Sequence, residues 1–111
     1  MYLESVDPEK NRSRFYSLET APSLFGSIIL IRRWGRIGSR HPQTLSSEYQ
    51  DIDSLLKELR AILRRRHRHG YKLRQNRLQI VLPGAFMVAD GVRRLQLIAR
   101  QTPGGITIKA G

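Results

Sequence analysis

The sequence predicts an α+β fold: an antiparallel β-sheet with one amphipathic α-helix packed across it, plus a short C-terminal extension. Three observations carry that expectation. Residues 46–69 repeat apolar side chains at spacings of three and four. The segments before them alternate, or run apolar and β-branched, over strand-like lengths. Glycine, proline and polar clusters separate those segments. A chain of 111 residues can bury one ordinary core but not two independent ones.

Tyr2 to Val6 alternates and is closed by Asp7-Pro8, after which Glu9 to Ser13 reads as a turn or loop. Phe15 to Glu19 alternates again, so two strands joined by a basic loop are expected. A second loop is expected around Ala21-Pro22-Ser23, before Ile28-Ile29-Leu30-Ile31. The continuous, β-branched character of that run suits a central strand covered on both faces. Arg32 to Gly38 then falls between this strand and a glycine-punctuated turn.

The helix is expected over Ser46 to His69, where Tyr49, Ile52, Leu55, Leu56, Leu59, Ile62 and Leu63 draw one apolar stripe. Ser47 and Gln50 have capping-box spacing, and Gly70 suits the position just past the end. Glu48, Asp51 and Asp53 load the first turns, and Arg64, Arg65, Arg66 and Arg68 the last, which complements the helix dipole at both ends. Beyond Gly70, Leu78 to Leu82 and Phe86 to Val88 read as strands separated by Pro83-Gly84, with Asp90-Gly91 as a hairpin turn. Val92 to Arg100 fits helix or strand equally, and Thr102-Pro103-Gly104-Gly105 breaks whatever precedes it. The expected organisation is a first unit over 1–71 and an extension over 72–111, either small and β-rich or poorly ordered. Residues 1–70 carry net +5 and residues 71–111 net +6, so the extension is the more one-sided part.

Twenty Lys and Arg against nine Asp and Glu give a formal charge of +11. Such a surplus attracts polyanions, which places nucleic acid first among partners. Arg outnumbers Lys, and a guanidinium can fork onto two phosphate oxygens or a guanine edge where an ammonium is a point charge. The chain has no cysteine, which excludes disulfides and thiolate metal sites. No apolar run approaches the roughly 20 residues that span a bilayer, and Met1 to Lys10 has no apolar signal core. The expected location is therefore the cytoplasm, on the nucleoid if the ligand is DNA, with no membrane partner.

The segment Arg33-Trp34-Gly35-Arg36-Ile37-Gly38 resembles the signature of the WGR domain family. Upstream, Arg14-Phe15-Tyr16 is similar to that family's Lys/Arg-Phe-Tyr strand, and the basic helix ending in Gly70-Tyr71 sits where the family's helix belongs. The order and spacing cover residues 1 to 71, which is more specific than the three-letter motif alone. The resemblance implies an antiparallel sheet with one helix across it, no enzymatic activity, and contact with DNA. In the DNA-dependent poly(ADP-ribose) polymerases such a domain holds DNA near a 5′ end beside a catalytic part for which this chain has no room.

On that resemblance, a nucleic-acid site is expected at Trp34, Gly35, Arg36 and Arg33, joined by Lys10, Asn11, Arg12 and Arg14 of the first loop. Trp34 would stack on a terminal base or sugar, Gly35 would admit the backbone of the ligand, and the bases would meet phosphates. Strand alternation lets only one of Arg32 and Arg33 share a face with Arg36. Each residue also has a plainer reading. Trp34 suits a core position, Phe15 and Tyr16 suit the core better than a contact, Gly35 and Gly38 suit a turn, and the helix-end arginines suit dipole compensation.

No catalytic residue, cofactor, metal or small-molecule substrate is expected. Gly35-Arg36-Ile37-Gly38 satisfies the GXXG pattern of KH domains, but that loop joins helices and strand-like sequence precedes this one. No Walker loop and no nucleophile elbow are present. His67 and His69 are two apart on a helix and diverge, which argues against a shared metal. DNA is favoured over RNA, and the alternative is a protein-interaction module that uses the same Trp and Arg surface.

Overall fold

A computed structural model describes residues 1–82, 85–90, 96–101 and 109–110. The first sheet comprises β1 (Tyr2–Asp7), β2 (Arg12–Pro22), β3 (Ile28–Arg36), β4 (Gln43–Tyr49) and β5 (Lys72–Gln75), and helix α1 spans Ile52–Arg68. The strand order is β4-β3-β2-β1-β5, with every neighbouring pair antiparallel.

Register decides what each face carries. Opposite one another across β2 and β3 are Tyr16 and Trp34, Leu18 and Arg32, Thr20 and Leu30, Pro22 and Ile28. Alternation therefore places Tyr16, Leu18, Ile28, Leu30 and, from β1, Leu3 on one face, and all five are buried. Helix α1 covers that face with Leu55, Leu59 and Ile62, each at most 1% exposed. Burying a side chain of this kind contributes roughly 1.5–3 kcal/mol, so the helix stripe is the main source of cohesion in the first unit. The opposite face carries Tyr2, Phe15, Arg33 and Gly35, all half-buried, with the Tyr2 and Phe15 rings stacked at 6.0 Å.

The structure differs from four sequence-based expectations. Trp34, Gly35 and Arg36 lie within β3 rather than beyond it, because β2 continues opposite them as far as Arg14. The turn comes later, with Gly38 at φ +86°. Ala21 and Pro22 extend β2 instead of forming a loop. Pro22 is its last residue, a position where no ladder N–H is required. Within β3, Ile28 and Leu30 are buried but Ile29 and Ile31 only half-buried, so this strand is covered fully on one face alone.

The fourth correction concerns the helix start. Ser46–Tyr49 belongs to β4 and pairs with Ile28–Ile31, so Ser47 caps nothing and Glu48 is outside the first turn. Asp51 is the N-cap: its carboxylate accepts from the Ser54 N–H at 2.7 Å. Tyr49 lies three residues before Ile52 and so continues the helical repeat, yet it also alternates with Ser47 on a strand. The free edge of β3 settles the choice, because strand pairing satisfies backbone groups that an extra helical turn would leave unmet.

At its other end α1 closes in a Schellman motif, with the Tyr71 N–H donating to the Arg66 carbonyl at 3.0 Å and the Gly70 N–H to the His67 carbonyl at 3.1 Å. Gly70 has φ +82°, a conformation that L side chains rarely adopt. As expected, it is the residue just past the helix.

Four further strands follow: β6 (Arg77–Leu82), β7 (Ala85–Asp90), β8 (Gln96–Gln101) and β9 (Lys109–Ala110), in that order in a second antiparallel sheet. β6 packs on β2, where the Thr20 hydroxyl donates to the Gln79 carbonyl at 2.6 Å, and Leu78, Ile80 and Ala89 join the main core. Pro83-Gly84, Gly91, residues 92–95 and the Thr102-Pro103-Gly104-Gly105 breaker fall outside the described residues. The segment that suited helix or strand equally is a strand over Gln96–Gln101.

Two stability effects follow. Gly70→Ala is expected to cost about 1–2 kcal/mol from the left-handed backbone, read as a fall in Tm of several degrees. The Ser54 backbone N–H holds the Asp51 carboxyl below its usual 3.8, so its contribution is present above that pH and lost as pH falls through the lower folded value. Asn caps without titrating. The Tm advantage of the native chain over Asp51→Asn should therefore shrink steadily as a thermal-melt series descends below pH 3.8.

Candidate nucleic-acid interface

The turn between β1 and β2 begins the site. Asp7 accepts from the Glu9 N–H at 3.2 Å and caps a short 3-10 turn over Pro8–Lys10, and Asn11 closes it at φ +50°. Asn tolerates this left-handed position better than most side chains. The turn presents Lys10 and Asn11 to solvent, and β2 then carries Arg12 and Arg14 on the face that bears the helix.

The last turn of α1 ends above the same region. Lys10, Asn11, Arg12, Arg14, Arg66, His69 and Tyr71 line a cleft of about 420 Å³. None of these residues is acidic. Among the described residues the ion pairs are Arg32–Glu58, Arg33–Glu19 and Arg74–Glu4, so none of the cleft cations has a carboxylate within salt-bridge distance. Arg36, opposite Arg14 in register, is exposed and its guanidinium donates to the Asn11 side-chain oxygen at 3.5 Å, which places it at the rim.

An aromatic chain underlies the cleft. The Trp34 and Tyr16 rings stack at 5.8 Å and 15°, and Tyr16 meets Tyr71 edge-on at 6.2 Å. The Arg66 guanidinium lies 5.0 Å from the centre of the Tyr16 ring and 5.6 Å from that of Tyr71. Cation–π attraction to both rings thus holds Arg66 over the cleft. Trp34 is half-buried and packs against the main core, so it serves the fold and keeps part of its surface at the sheet's rim.

The expected site residues divide between two faces. Lys10, Asn11, Arg12 and Arg14 come together in the cleft, with Arg36 beside them and Trp34 connected through Tyr16. Arg33 and Gly35 point the other way. Arg33 pairs with Glu19 at 3.2 Å, and a Cβ on Gly35 would meet Pro42 and Phe15 of its own chain at 3.7–3.8 Å. Gly35 has φ +157°, so its backbone conformation is itself a reason for glycine. Arg32 shares the face of Trp34 but is committed to Glu58 at 3.1 Å with its side chain only 13% exposed.

Arg66, His69 and Tyr71 belong to the cleft and are not among the expected site residues; the basic helix end, Arg66 included, suits a second basic patch and dipole compensation equally by sequence. The available signal was Gly70: a Schellman stop folds the second residue past the cap back on the last turn, which brings Tyr71 to Arg66. Among the described residues, no group of three or more His, Asp or Glu is placed to hold a metal ion, and no helix is long and apolar enough to cross a membrane.

The model of the WGR domain family matches residues 1–77, which takes in the whole first sheet, the helix and the cleft. The chain belongs to the WGR domain family. That family is non-catalytic and often linked to nucleic-acid binding. The match runs six residues beyond Tyr71, through β5. The WGR chain is also similar to the uncharacterized protein y4dW of Sinorhizobium fredii (strain NBRC 101917 / NGR234), with 36% identity over 74 residues, 67% of this chain and 36% of that protein. It therefore spans well under half the length of that relative. No solved structure matches the chain.

The aromatic seat of Arg66 is testable by denaturation. Arg66→Met keeps the stem and removes the cation, and is expected to lower stability by about 0.5–1 kcal/mol in urea melts. Trp34→Ala should cost more, about 1–3 kcal/mol for a half-buried indole, without abolishing the fold.

Proposed function

We propose that this WGR chain is a non-catalytic nucleic-acid-binding domain that takes DNA in preference to RNA and sits near strand ends. The observation that carries the reading is the cleft in which Lys10, Arg12, Arg14 and Arg66 converge without a carboxylate among its lining residues. Grouped cations of this kind raise the local potential and are neutralised by phosphates more readily than by isolated anions. Arg36 and Asn11 extend the donor surface from the rim, and family membership supports the same ligand class.

Phosphate contacts position a nucleic acid without reading its sequence. A terminal base pair would offer the exposed part of Trp34 a flat partner, which is the basis for the end preference. Arg33 and Gly35, on the opposite face, support the sheet in this reading rather than touch the ligand. In a bacterial cell such a protein would be found on the nucleoid.

The experiment compares circular, nicked, blunt-ended and single-stranded DNA, and RNA, across a salt series. Neutralising four to six phosphates gives a slope of log K against log salt of about −3.6 to −5.4, and Arg14→Ala should reduce it by about one. Trp34, the single tryptophan, supplies the second readout: its fluorescence should be quenched by end-bearing DNA and much less by circular DNA at equal saturation. A flat salt dependence would overturn nucleic-acid binding. Equal quenching by both forms would remove the end preference alone.

A further inference from the structure

The β2–β3 connection carries the most exposed apolar side chains of the described residues, Leu24 at 99% and Phe25 at 92%. The loop beneath them is well held. Both the Phe25 and Ser27 N–H groups donate to the Ser23 hydroxyl at 3.1 Å, the Ser23 N–H donates to the Ser27 carbonyl at 2.9 Å, and the Ser27 hydroxyl donates to the Glu48 carboxylate. A leucine and a phenylalanine are thus presented in a fixed arrangement, which lowers the entropy cost of docking them.

The same end of the molecule is anionic. No Lys or Arg occurs from Thr20 to Ile31 or from Gln43 to Leu56, and the β3–β4 register brings these two stretches side by side with Glu48, Asp51 and Asp53. In a chain of +11, this tip is the exception.

At the far end of α1 the properties reverse. Between its last turns and β5 lies an open groove of about 820 Å³, distinct from the basic cleft in most of its lining, with Leu3, Leu63 and Leu73 on its apolar side. Its rim is cationic, from Arg64, Arg68 and Lys72, and no acidic residue lines it. β5 is an edge strand, with a neighbour in the sheet on one side only.

We propose that this groove receives the Leu24–Phe25 tip of a second copy of the chain. Apolar side chains with flanking carboxylates meet an apolar groove with flanking guanidinium groups, so both shape class and charge agree. The tip lies beside the start of a 17-residue helix and the groove beside its end, about 25 Å apart, which prevents a copy from filling its own groove. The contact is heterologous, with different patches on the two partners, so it propagates head to tail into a ring or a short open array. It needs no nucleic acid and stands independently of the proposed function. Overall repulsion between copies limits it to weak association, roughly micromolar to submillimolar, favoured near physiological salt where charges beyond about 8 Å are screened.

The chain lacks cysteine, so single introduced cysteines report the contact without background. Pro22→Cys and His67→Cys both alter exposed positions, one beside the tip with Leu24 and Phe25 kept, and one on the groove. Mixed under mild oxidation at equal concentration, they should form the mixed disulfide roughly ten-fold or more faster than either variant alone forms its own dimer. In parallel, sedimentation velocity of the native full chain should show a concentration-dependent rise that Leu24→Ser with Phe25→Ser abolishes, while circular dichroism and Tm stay unchanged. Mixed and self disulfides forming at equal rates, or a native chain that sediments as a monomer throughout, would overturn the proposal and leave the tip and the groove to partners of other kinds.

Discussion

The antiparallel register of β2 against β3 is the constraint on which the other features rest. It sets Tyr16 against Trp34 and Arg14 against Arg36, and by parity sends Arg33 and Gly35 to the far face. A slip of β3 by one residue would exchange its faces, turning Arg33 toward the helix and Leu30 away from it. The buried stripe of α1 makes such a slip costly, since Leu55, Leu59 and Ile62 find their apolar partners only in the observed register. The fold's cohesion and the grouping of cations beside its rim therefore have one origin. Neither can be altered independently through the β2–β3 pair.

Much of this architecture was legible in the chain because two periods are distinct over most of their length. The helical repeat from Ile52 to Leu63, the alternation of Tyr2 to Val6 and the apolar run at Ile28 each point to one element. Ambiguity arose where both periods share a residue. Tyr49 satisfies the helix stripe and the strand, and only a neighbouring strand edge decides between them. The extent of β3 was hidden for a similar reason: Gly35 reads as a turn residue, yet here it is a strand residue with Phe15 packed beside the space a side chain would fill. The basic loop residues expected together do line one cleft, but the approach of the helix end to it depends on a long-range meeting of Arg66 with Tyr16, which no local pattern encodes.

Charge is distributed along the helix axis with opposite effects at the two ends. Acids at the N-terminus and bases at the C-terminus both favour the helix through its dipole. The same placement makes one end of the molecule anionic and the other cationic, although the total is strongly positive. Stability and recognition thus draw on a single pattern. The arginines that complement the helix carbonyls also rim both the cleft and the groove.

The arginines differ less in number than in the kind of partner that holds them. Arg32 and Arg33 each face a carboxylate at 3.1–3.2 Å through one terminal nitrogen, which offsets the charge of the guanidinium, while the buried Arg32 Nε has no partner among the described residues. Arg66 is held instead by two tyrosine rings, an attraction that brings no opposite charge to the guanidinium. Aromatic support therefore fixes a charge without cancelling it, and a fixed, uncancelled charge meets a phosphate with less ordering cost than a free surface arginine. By that distinction the two arginines just before the family's signature tryptophan face carboxylates, while Arg66, the fifteenth residue of the helix, does not. Proximity in sequence to a motif is a weaker guide to its chemistry than the nature of the group that holds each side chain.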